Sequence, residues 1–351
     1  MIIDEAQFVA KRDASFMEAV AKLKKHKLYP GPVLIILATS STVWATQEAA
    51  EQFKGAEMKL ESLNFLEVVR HFESLPVAEI VRIYGAIGGV PAYLDKWDAA
   101  KSFKDNICRL VLTPSGALYG EADAVISAEL RELSAYSTIL AAIARGENKL
   151  NDIFHATGFS RAKISVYLKN LAAFNIVEKV VSFETGGWEN AKKGVYQIKD
   201  TFVNFWFKFV YPNMSNLYLL SPEEFYDTYI EKELDAYLER YFREVCTEYL
   251  LILNQMGQLP FTIKRVGTWI GKTGRIDIVA QSEDRRSIIG FCNWDKPMMT
   301  MDMCENMAMA MEQARLTSDD YYLFSATDFE PALQSYVVRD PRFKLINMNE
   351  L

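Results

Sequence analysis

An unbroken apolar run from Val33 to Ala38 constrains the fold of this 351-residue chain more than any other feature. Such a run, without alternating polar residues, is typical of a strand buried on both faces of a parallel sheet. Parallel strands need a crossover between them, and residues 11 to 27 have the apolar spacing of a helix. A second apolar segment, Met1 to Ile3, lies before that helix. We therefore expect the chain to open with a strand, a helix and a parallel strand.

Polar residues follow both predicted strands. Asp4 and Glu5 follow the first strand, and Ser40 follows the second. Ligands of parallel α/β sheets bind at these carboxyl strand ends. In P-loop ATPases the strand-end aspartate holds the Mg²⁺ shell, the next glutamate polarises the attacking water, and a small polar residue on the neighbouring strand senses the γ-phosphate. The pattern predicts this arrangement, and the alternative is an acidic helix start that interacts with the helix dipole.

A phosphate-binding Walker A loop should precede the first of these strands, and the 351 residues contain none there. The one similar pattern, Gly267 to Thr273, has its first glycine one residue too close to the Gly-Lys-Thr. It is followed by Arg275 to Val279, which resembles a strand, whereas a true phosphate loop opens a helix. We therefore predict a hairpin turn at this position and a polypeptide that does not hydrolyse ATP.

The middle of the chain is predicted to be helical. From Pro76 onward the first landmark is the segment Gly88 to Leu94, in which Gly89 and Pro91 occupy the place of an ATPase nucleotide lid. The alternative is ordinary helix capping, because proline is common at the first position of a helix.

A helix, turn and helix follow at residues 150 to 157, Gly158 and 160 to 174. Two strand-like runs, 176 to 183 and 195 to 198, come next, so the segment is predicted to be a winged helix. The second helix carries the cations that a DNA-recognition helix needs, Arg161, Lys163 and Lys169. A winged helix used for protein packing, with these cations merely solvated, is the open alternative.

In this order the motifs resemble the prokaryotic AAA-type ATPases of the archaeal ATPase group, which carry a C-terminal domain of unknown function, DUF234. The resemblance rests on segments spread over nearly the whole chain: Ile2 to Ala6, Leu34 to Ser41, Tyr84 to Leu94, Gly116 to Tyr119, Ile139 to Leu171, Tyr196 to Pro212, Ile276 to Ala280 and Tyr322 to Ser325. It implies Walker B residues at Asp4 and Glu5, a sensor at Ser40, and Asp4 as the Mg²⁺ holder of an intact ATPase. The missing Walker A part departs from the family, so the expectation is a truncated member with no cofactor, or ATP and Mg²⁺ where the P-loop part is restored.

The resemblance predicts a mixed α/β and α fold in four segments. These are a partial P-loop ATPase core at 1–75, a helical lid at 76–125, a winged helix with a following helical segment at 126–221, and a C-terminal restriction-nuclease-like α/β domain at 222–351. Strands of the last segment are predicted at 261–266, 275–280, 287–292 and 321–325, with a methionine-rich helix at 299–314.

The C-terminal segment resembles the PD-(D/E)XK nucleases, which bind Mg²⁺ with carboxylates and use a lysine to assist the water. Asp277 corresponds to the first acidic position. The next strand reads Gly-Phe-Cys-Asn-Trp, so Phe291 stands for the family's glutamate and Asn293 for its lysine. The sequence therefore predicts a degenerate, inactive nuclease site, or Asp277 as a structural carboxylate. Glu244 and Glu248, spaced i, i+4 on a predicted helix, are further acidic residues that could approach the Asp277 site.

Composition excludes several classes of function. The net charge of −7 argues against a general nucleic-acid coat, although a local basic face remains compatible with it. The four cysteines and three histidines are scattered, so we expect no metal site, no disulfide and a reducing cytoplasm. The longest aromatic stretch, 202 to 211, is too short to span a bilayer, so no membrane partner is expected.

The leading expectation is therefore a non-hydrolysing, truncated ATPase relative that binds DNA through its winged helix, or that binds a protein partner or itself through an exposed sheet edge. The second is a functional ATPase whose P-loop is missing from this sequence. The third, a metal-dependent nuclease, is disfavoured by Phe291 and Asn293.

Overall fold

The computed structural model describes residues 1–25, 34–41, 43–52, 55–127, 130, 132–183, 194–271 and 274–351. Short π-helical segments at Trp44–Ala49, Cys108–Leu112 and Trp206–Val210, and 3₁₀ turns at Tyr211–Asn213 and Met348–Glu350, extend the helices. The α-helices are α1 (Ala6–Arg12), α2 (Phe16–Lys25), α3 (Ala50–Gln52), α4 (Phe65–His71), α5 (Val77–Ile87), α6 (Pro91–Leu94), α7 (Phe103–Ile107), α8 (Glu121–Ser127), α9 (Leu133–Ala144), α10 (Leu150–Thr157), α11 (Arg161–Ala173), α12 (Thr201–Phe205), α13 (Met214–Leu217), α14 (Pro222–Tyr229), α15 (Glu231–Gln255), α16 (Met301–Ala314) and α17 (Pro331–Arg339).

The strands of the described residues form four sheets. They are β1 (Ile2–Ile3), β2 (Ile36–Leu37), β3 (Val177–Val181), β4 (Gly194–Ile198), β5 (Arg265–Ile270), β6 (Arg275–Gln281), β7 (Ser287–Asn293), β8 (Met298–Met299), β9 (Asp320–Ser325), β10 (Asp328–Phe329) and β11 (Phe343–Asn347). The largest sheet has the order β11-β9-β7-β6-β5, and β1-β2, β3-β4 and β8-β10 are separate pairs. The chain is thus mixed α/β, as predicted.

The N-terminal unit contains the predicted parallel strands. β1 and β2 pair in parallel, with Ile2 opposite Ile36. The expectation that the second strand is buried on both faces is wrong for the described residues. Leu34 is 72% exposed and Ile36 is 43% exposed. The reason is that β2 pairs only with β1, and the small apolar cluster around Trp44 covers one face of this two-stranded sheet.

The central helices and the C-terminal sheet share one hydrophobic core. The cluster runs from Phe65 in α4, through Ile83 in α5 and the aromatic residues of α12, to Phe324 in β9. Helix α15 lies along this core, and its residues Leu238 and Tyr241 pack so closely on α5 that a side chain at Gly85 would collide with Leu238. The core therefore includes residues of all four predicted segments, and it takes in the first of them only from α4 onward.

Helices α10 and α11 meet at Gly158, whose φ of 69° lies in the left-handed region that glycine adopts without steric cost. Ser160 then caps α11 by accepting a hydrogen bond from the backbone N–H of Lys163. The antiparallel hairpin of β3 and β4 follows, with Val177 opposite Ile198. The order helix, turn, helix and hairpin agrees with the sequence expectation.

In the C-terminal sheet, β5 and β6 form the predicted hairpin, and the Gly271 amide donates to the Gly274 carbonyl at 2.9 Å. The first strand nevertheless starts at Arg265 and not at residue 261. Ile263 is excluded from the sheet because its backbone N–H and C=O bond to the Asn254 side chain at 2.7 and 3.3 Å. Strand β11, which forms one edge of this sheet, and helix α17, which precedes it, are not predicted from the sequence.

Candidate functional site

The acidic end of β1 and the polar end of β2 are in direct contact. The Ser40 hydroxyl donates to Glu5 Oε2 at 2.9 Å, and the Ser40 amide donates to the same oxygen at 3.3 Å. Hydrogen bonds from Gln7 and Ser40 lower the pKa of Glu5, so its carboxylate is ionised at neutral pH. Glu5 has a φ of 48°, a costly conformation for a residue with a side chain. The structure therefore brings Glu5 and Ser40 together, as the motif order suggested.

Gln7, in the first turn of α1, completes this cluster and was not identified from the sequence. Its side chain is buried, its amide nitrogen donates to Ser40 Oγ at 3.0 Å, and its carbonyl oxygen accepts from Thr39 Oγ1 at 2.6 Å. Asp4 instead turns back on the chain and accepts from the Glu5 amide at 2.9 Å. The cluster thus has an ionised carboxylate held by neutral donors, with Asp4 beside it.

The predicted lid residues have packing roles of their own. The Gly89 carbonyl accepts from the Leu63 amide at 2.8 Å, and a Cβ at Gly89 would lie 1.8 Å from the Leu63 carbonyl oxygen, so only glycine fits there. Pro91 occupies the first turn of α6, where its missing N–H costs nothing. The lid function of these residues remains a prediction.

Helix α11 presents its three predicted cations to solvent. Arg161, Lys163 and Lys169 are all exposed, while the opposite face of the helix is buried in the core. The Arg161 guanidinium lies 4.0 Å from the centre of the Phe154 ring, and the Lys163 amine lies 4.4 Å from that of Phe159. Aromatic rings therefore orient both cations without neutralising their charge.

The centre of that exposed face carries only small side chains, Ala162, Ser165 and Val166. Val166 is 57% exposed, which is unusual for a valine on an amphipathic helix. The helix surface is therefore narrow in the middle, with cations at its rim.

The predicted degenerate nuclease position is occupied by arginines. Arg275 Nε lies 3.3 Å and Arg243 Nε lies 3.7 Å from Asp277 Oδ1, and the Cys292 amide donates to Asp277 Oδ2 at 3.1 Å. Burial and the neighbouring Arg243 lower the pKa of Arg275 to about 10. Two cations thus surround Asp277, and Arg243 also lies 3.7 Å from Glu239 of α15, so a metal ion at Asp277 would be repelled by both arginines.

Phe291 and Asn293 have structural environments. Phe291 packs against the apolar cluster formed by α16, β7 and β9. Asn293 is buried, and its amide donates to Ser325 Oγ at 3.1 Å and to the Lys296 carbonyl at 3.2 Å, which fixes the turn after β7. The acidic residues on α15 also lie elsewhere: Glu244 pairs with Arg240 at 2.8 Å, and Glu248 binds the start of α4.

Within the described residues, no three His, Cys, Asp or Glu side chains lie close enough to hold a metal ion together. The helices of the described ranges include none with both the length and the apolar character to cross a bilayer. All four cysteines are free thiols.

Comparison with known proteins finds a family model that matches part of the chain. Residues 206–309 match the DUF234 family, described as archaeal and bacterial proteins of unknown function. An uncharacterised protein of Methanocaldococcus jannaschii, MJECL04, is 28% identical over 335 residues, which are 93% of this chain and 74% of that protein.

Two solved structures are similar in part to the structure of this chain. The Walker-type ATPase PABY2304 of Pyrococcus abyssi is 16% identical with a TM-score of 0.38, over 59% of this chain and 62% of that one. Protein VC1899 of Vibrio cholerae is 10% identical with a TM-score of 0.25, over 90% of this chain and 65% of that one. The chain thus spans just under two thirds of each of these two proteins. The resemblance predicted from the motifs is confirmed by the match of residues 206–309 to the DUF234 family model.

Proposed function

We propose that this polypeptide is an ATPase-related protein that binds duplex DNA through a winged helix formed by α10, α11 and the β3–β4 hairpin, and that it does not hydrolyse ATP. The observation that carries the proposal is the exposed face of α11. Small residues along its centre allow a helix to approach base edges in the major groove, and Val166 offers a methyl contact for thymine. The rim cations Arg161 and Lys163 are positioned for phosphates on either side.

The cluster at the end of β1 and β2 supports the ATPase ancestry. An ionised glutamate bonded to a serine on the adjacent strand is the arrangement that polarises a water beside a γ-phosphate. Most phosphate contacts of such enzymes come from the amides and lysine of a Walker A loop, which this sequence lacks. The alternative function is an ATPase whose P-loop segment is missing from this sequence. ATP and Mg²⁺ would be ligands of that form of the protein.

A protein partner at the β1–β2 sheet is a second candidate function. Ile2 and Leu34 are each 72% exposed, and Ile36 is 43% exposed. Apolar side chains on an open strand pair are suited to pairing with another strand, from a partner or from a second copy of this chain.

The C-terminal domain is proposed to be restriction-nuclease-like and inactive. Its one acidic candidate, Asp277, is bound by Arg243 and Arg275, and Phe291 and Asn293 serve packing and turn formation. DUF234 would then contribute a scaffold or a binding surface and no phosphodiester chemistry.

A single introduced negative charge tests DNA binding by α11. Val166→Glu should abolish binding of a fluorescein-labelled 24-base-pair duplex, measured by anisotropy, because a carboxylate at the centre of the face repels phosphates. Val338→Glu is the matched control, since Val338 is 87% exposed on α17. DNA binding that survives Val166→Glu, or that is lost equally in Val338→Glu, would overturn the proposal.

A further inference from the structure

A cavity of about 420 Å³ lies between strands β6 and β7 and the methionine-rich helix α16. Its size is within the range of small-molecule sites. Most of its wall is apolar or carries sulfur: Phe291, Met299, Met303, Cys304, Met307 and Leu323. Methionine side chains are flexible and polarisable, so such a wall adapts to aromatic or aliphatic bodies.

One end of the cavity is polar. Arg275 and Asp277 line it, and Arg275 remains 43% exposed at the side-chain level. Asp277 is shared, because Arg243 approaches the same carboxylate oxygen from α15. Arg243 also lies 3.7 Å from Glu239, and Arg275 faces Asp277 through its Nε alone, so the Arg275 guanidinium has further donors for another anion.

Two positions of the proposed inactive nuclease site, Asp277 and Phe291, line this cavity. Phe291, which stands where the nucleases have a glutamate, supplies a ring to the wall, and the carboxylate that remains is paired with arginine. A bare metal ion is disfavoured by the adjacent arginines. Burial also raises the pKa of the Cys304 thiol to about 11, so this sulfur is neutral and a poor metal ligand.

We propose that this cavity binds a small amphipathic anion, with its aromatic or aliphatic body among the methionines and its acidic group on Arg275. The inference is independent of DNA binding by α11. It assigns a ligand-binding role to the region of the proposed inactive nuclease site.

Two probes with the same ring skeleton test the proposal. 1-Anilinonaphthalene-8-sulfonate is an aromatic anion whose fluorescence rises in apolar sites, and N-phenyl-1-naphthylamine lacks its sulfonate. Both should bind the full-length protein, and the anion should bind at least about tenfold more tightly, as expected for one charge-assisted hydrogen bond.

Two variants separate the contributions of charge and cavity. Arg275→Gln should weaken the sulfonate probe at least about tenfold and leave the neutral probe unchanged. Ala310→Leu, which fills the cavity from α16, should weaken both probes. Arg342→Gln, at an exposed arginine on the far edge of the sheet, is the matched control and should change neither. Thermal melts establish that each variant folds, and the sulfonate probe should raise the melting temperature of the wild type more than that of Arg275→Gln.

Probe binding that is unaffected by Ala310→Leu in a folded protein would place the probes elsewhere, such as on the exposed β1–β2 face, and would overturn the proposal. Equal effects of Arg275→Gln on both probes would overturn the role of Arg275. If Arg275→Gln fails to fold, Asp277→Asn decides the question: freeing Arg275 from its carboxylate should tighten sulfonate binding, and unchanged or weaker binding contradicts the proposal.

Discussion

The carboxylate of Glu248, in α15, accepts a hydrogen bond from the backbone N–H of Phe65, the first residue of α4, at 3.0 Å. Its second oxygen accepts from the Leu66 amide at 3.1 Å. The first amides of a helix have no partners within the helix, and the helix dipole favours a negative group there. Glu248, an acidic candidate near the predicted nuclease site, therefore caps α4 and links it to α15.

Removing this contact should lower stability. Glu248→Ala leaves two amides of α4 without their acceptor, and we expect the free energy of unfolding to fall by about 1–2 kcal/mol in urea titrations. Glu244→Ala, one helical turn earlier, removes the ion pair of an exposed carboxylate with Arg240, which keeps its hydrogen bond to the Ile198 carbonyl, and should cost less than about 1 kcal/mol. Equal losses in the two variants would contradict the capping role of Glu248.

The C-terminal domain should not cut DNA. A two-carboxylate site holds Mg²⁺ against its water shell, whereas here Asp277 is held by Arg243 and Arg275 and no second carboxylate replaces Phe291. Purified protein should leave supercoiled plasmid intact on agarose gels with either Mg²⁺ or Mn²⁺. Cleavage that disappears in Asp277→Ala would show that a working site exists.

ATP should bind this polypeptide weakly. In the proposed ATPase-related site Asp4 would hold magnesium and Glu5 would polarise water, but these 351 residues contain no Walker A pattern to bind the phosphates. Calorimetric titration should show no dissociation constant below about 1 mM, which corresponds to about 4 kcal/mol. A micromolar dissociation constant would contradict this expectation.

The N-terminal unit should be the least protected part of the fold. β1 and β2 form a two-stranded sheet with apolar side chains on an open face, and such pairs are marginal alone. Hydrogen exchange followed by mass spectrometry should show peptides from β1, α1 and β2 exchanging faster than the C-terminal domain, or protected only at concentrations where light scattering detects self-association. Uniformly slow exchange in a proven monomer would refute the prediction.

Much of the fold could be predicted from local patterns. The apolar runs at Ile2 and Ile36 indicate parallel strands, and the polar residues after them place Glu5 and Ser40 at the carboxyl ends of neighbouring strands. The turn at Gly158 and the hairpin at Gly271 follow from glycine chemistry and strand alternation, which are properties of a few adjacent residues.

The remaining features depend on contacts that are distant in sequence. Arg243 reaches Asp277 from α15, and Glu248 reaches Phe65 across 183 positions, so no local pattern indicates either role. Gln7 was missed because a buried amide has no characteristic spacing. The exposure of Leu34 was missed because an apolar run predicts a buried strand whether or not a second layer covers it.

The salt dependence of duplex binding tests whether the cations of α11, and not exposed lysines in general, contact DNA phosphates. Each phosphate neutralised by a cation contributes about 0.9 to the slope of log affinity against log salt concentration. The triple variant Arg161→Ala, Lys163→Ala and Lys169→Ala should therefore flatten the slope by about 2.7 relative to the wild type. A control that removes three exposed lysines elsewhere, at Lys22, Lys232 and Lys344, should leave the slope unchanged. An unchanged slope in the α11 variant, or the same flattening in the control, would contradict DNA binding through this helix.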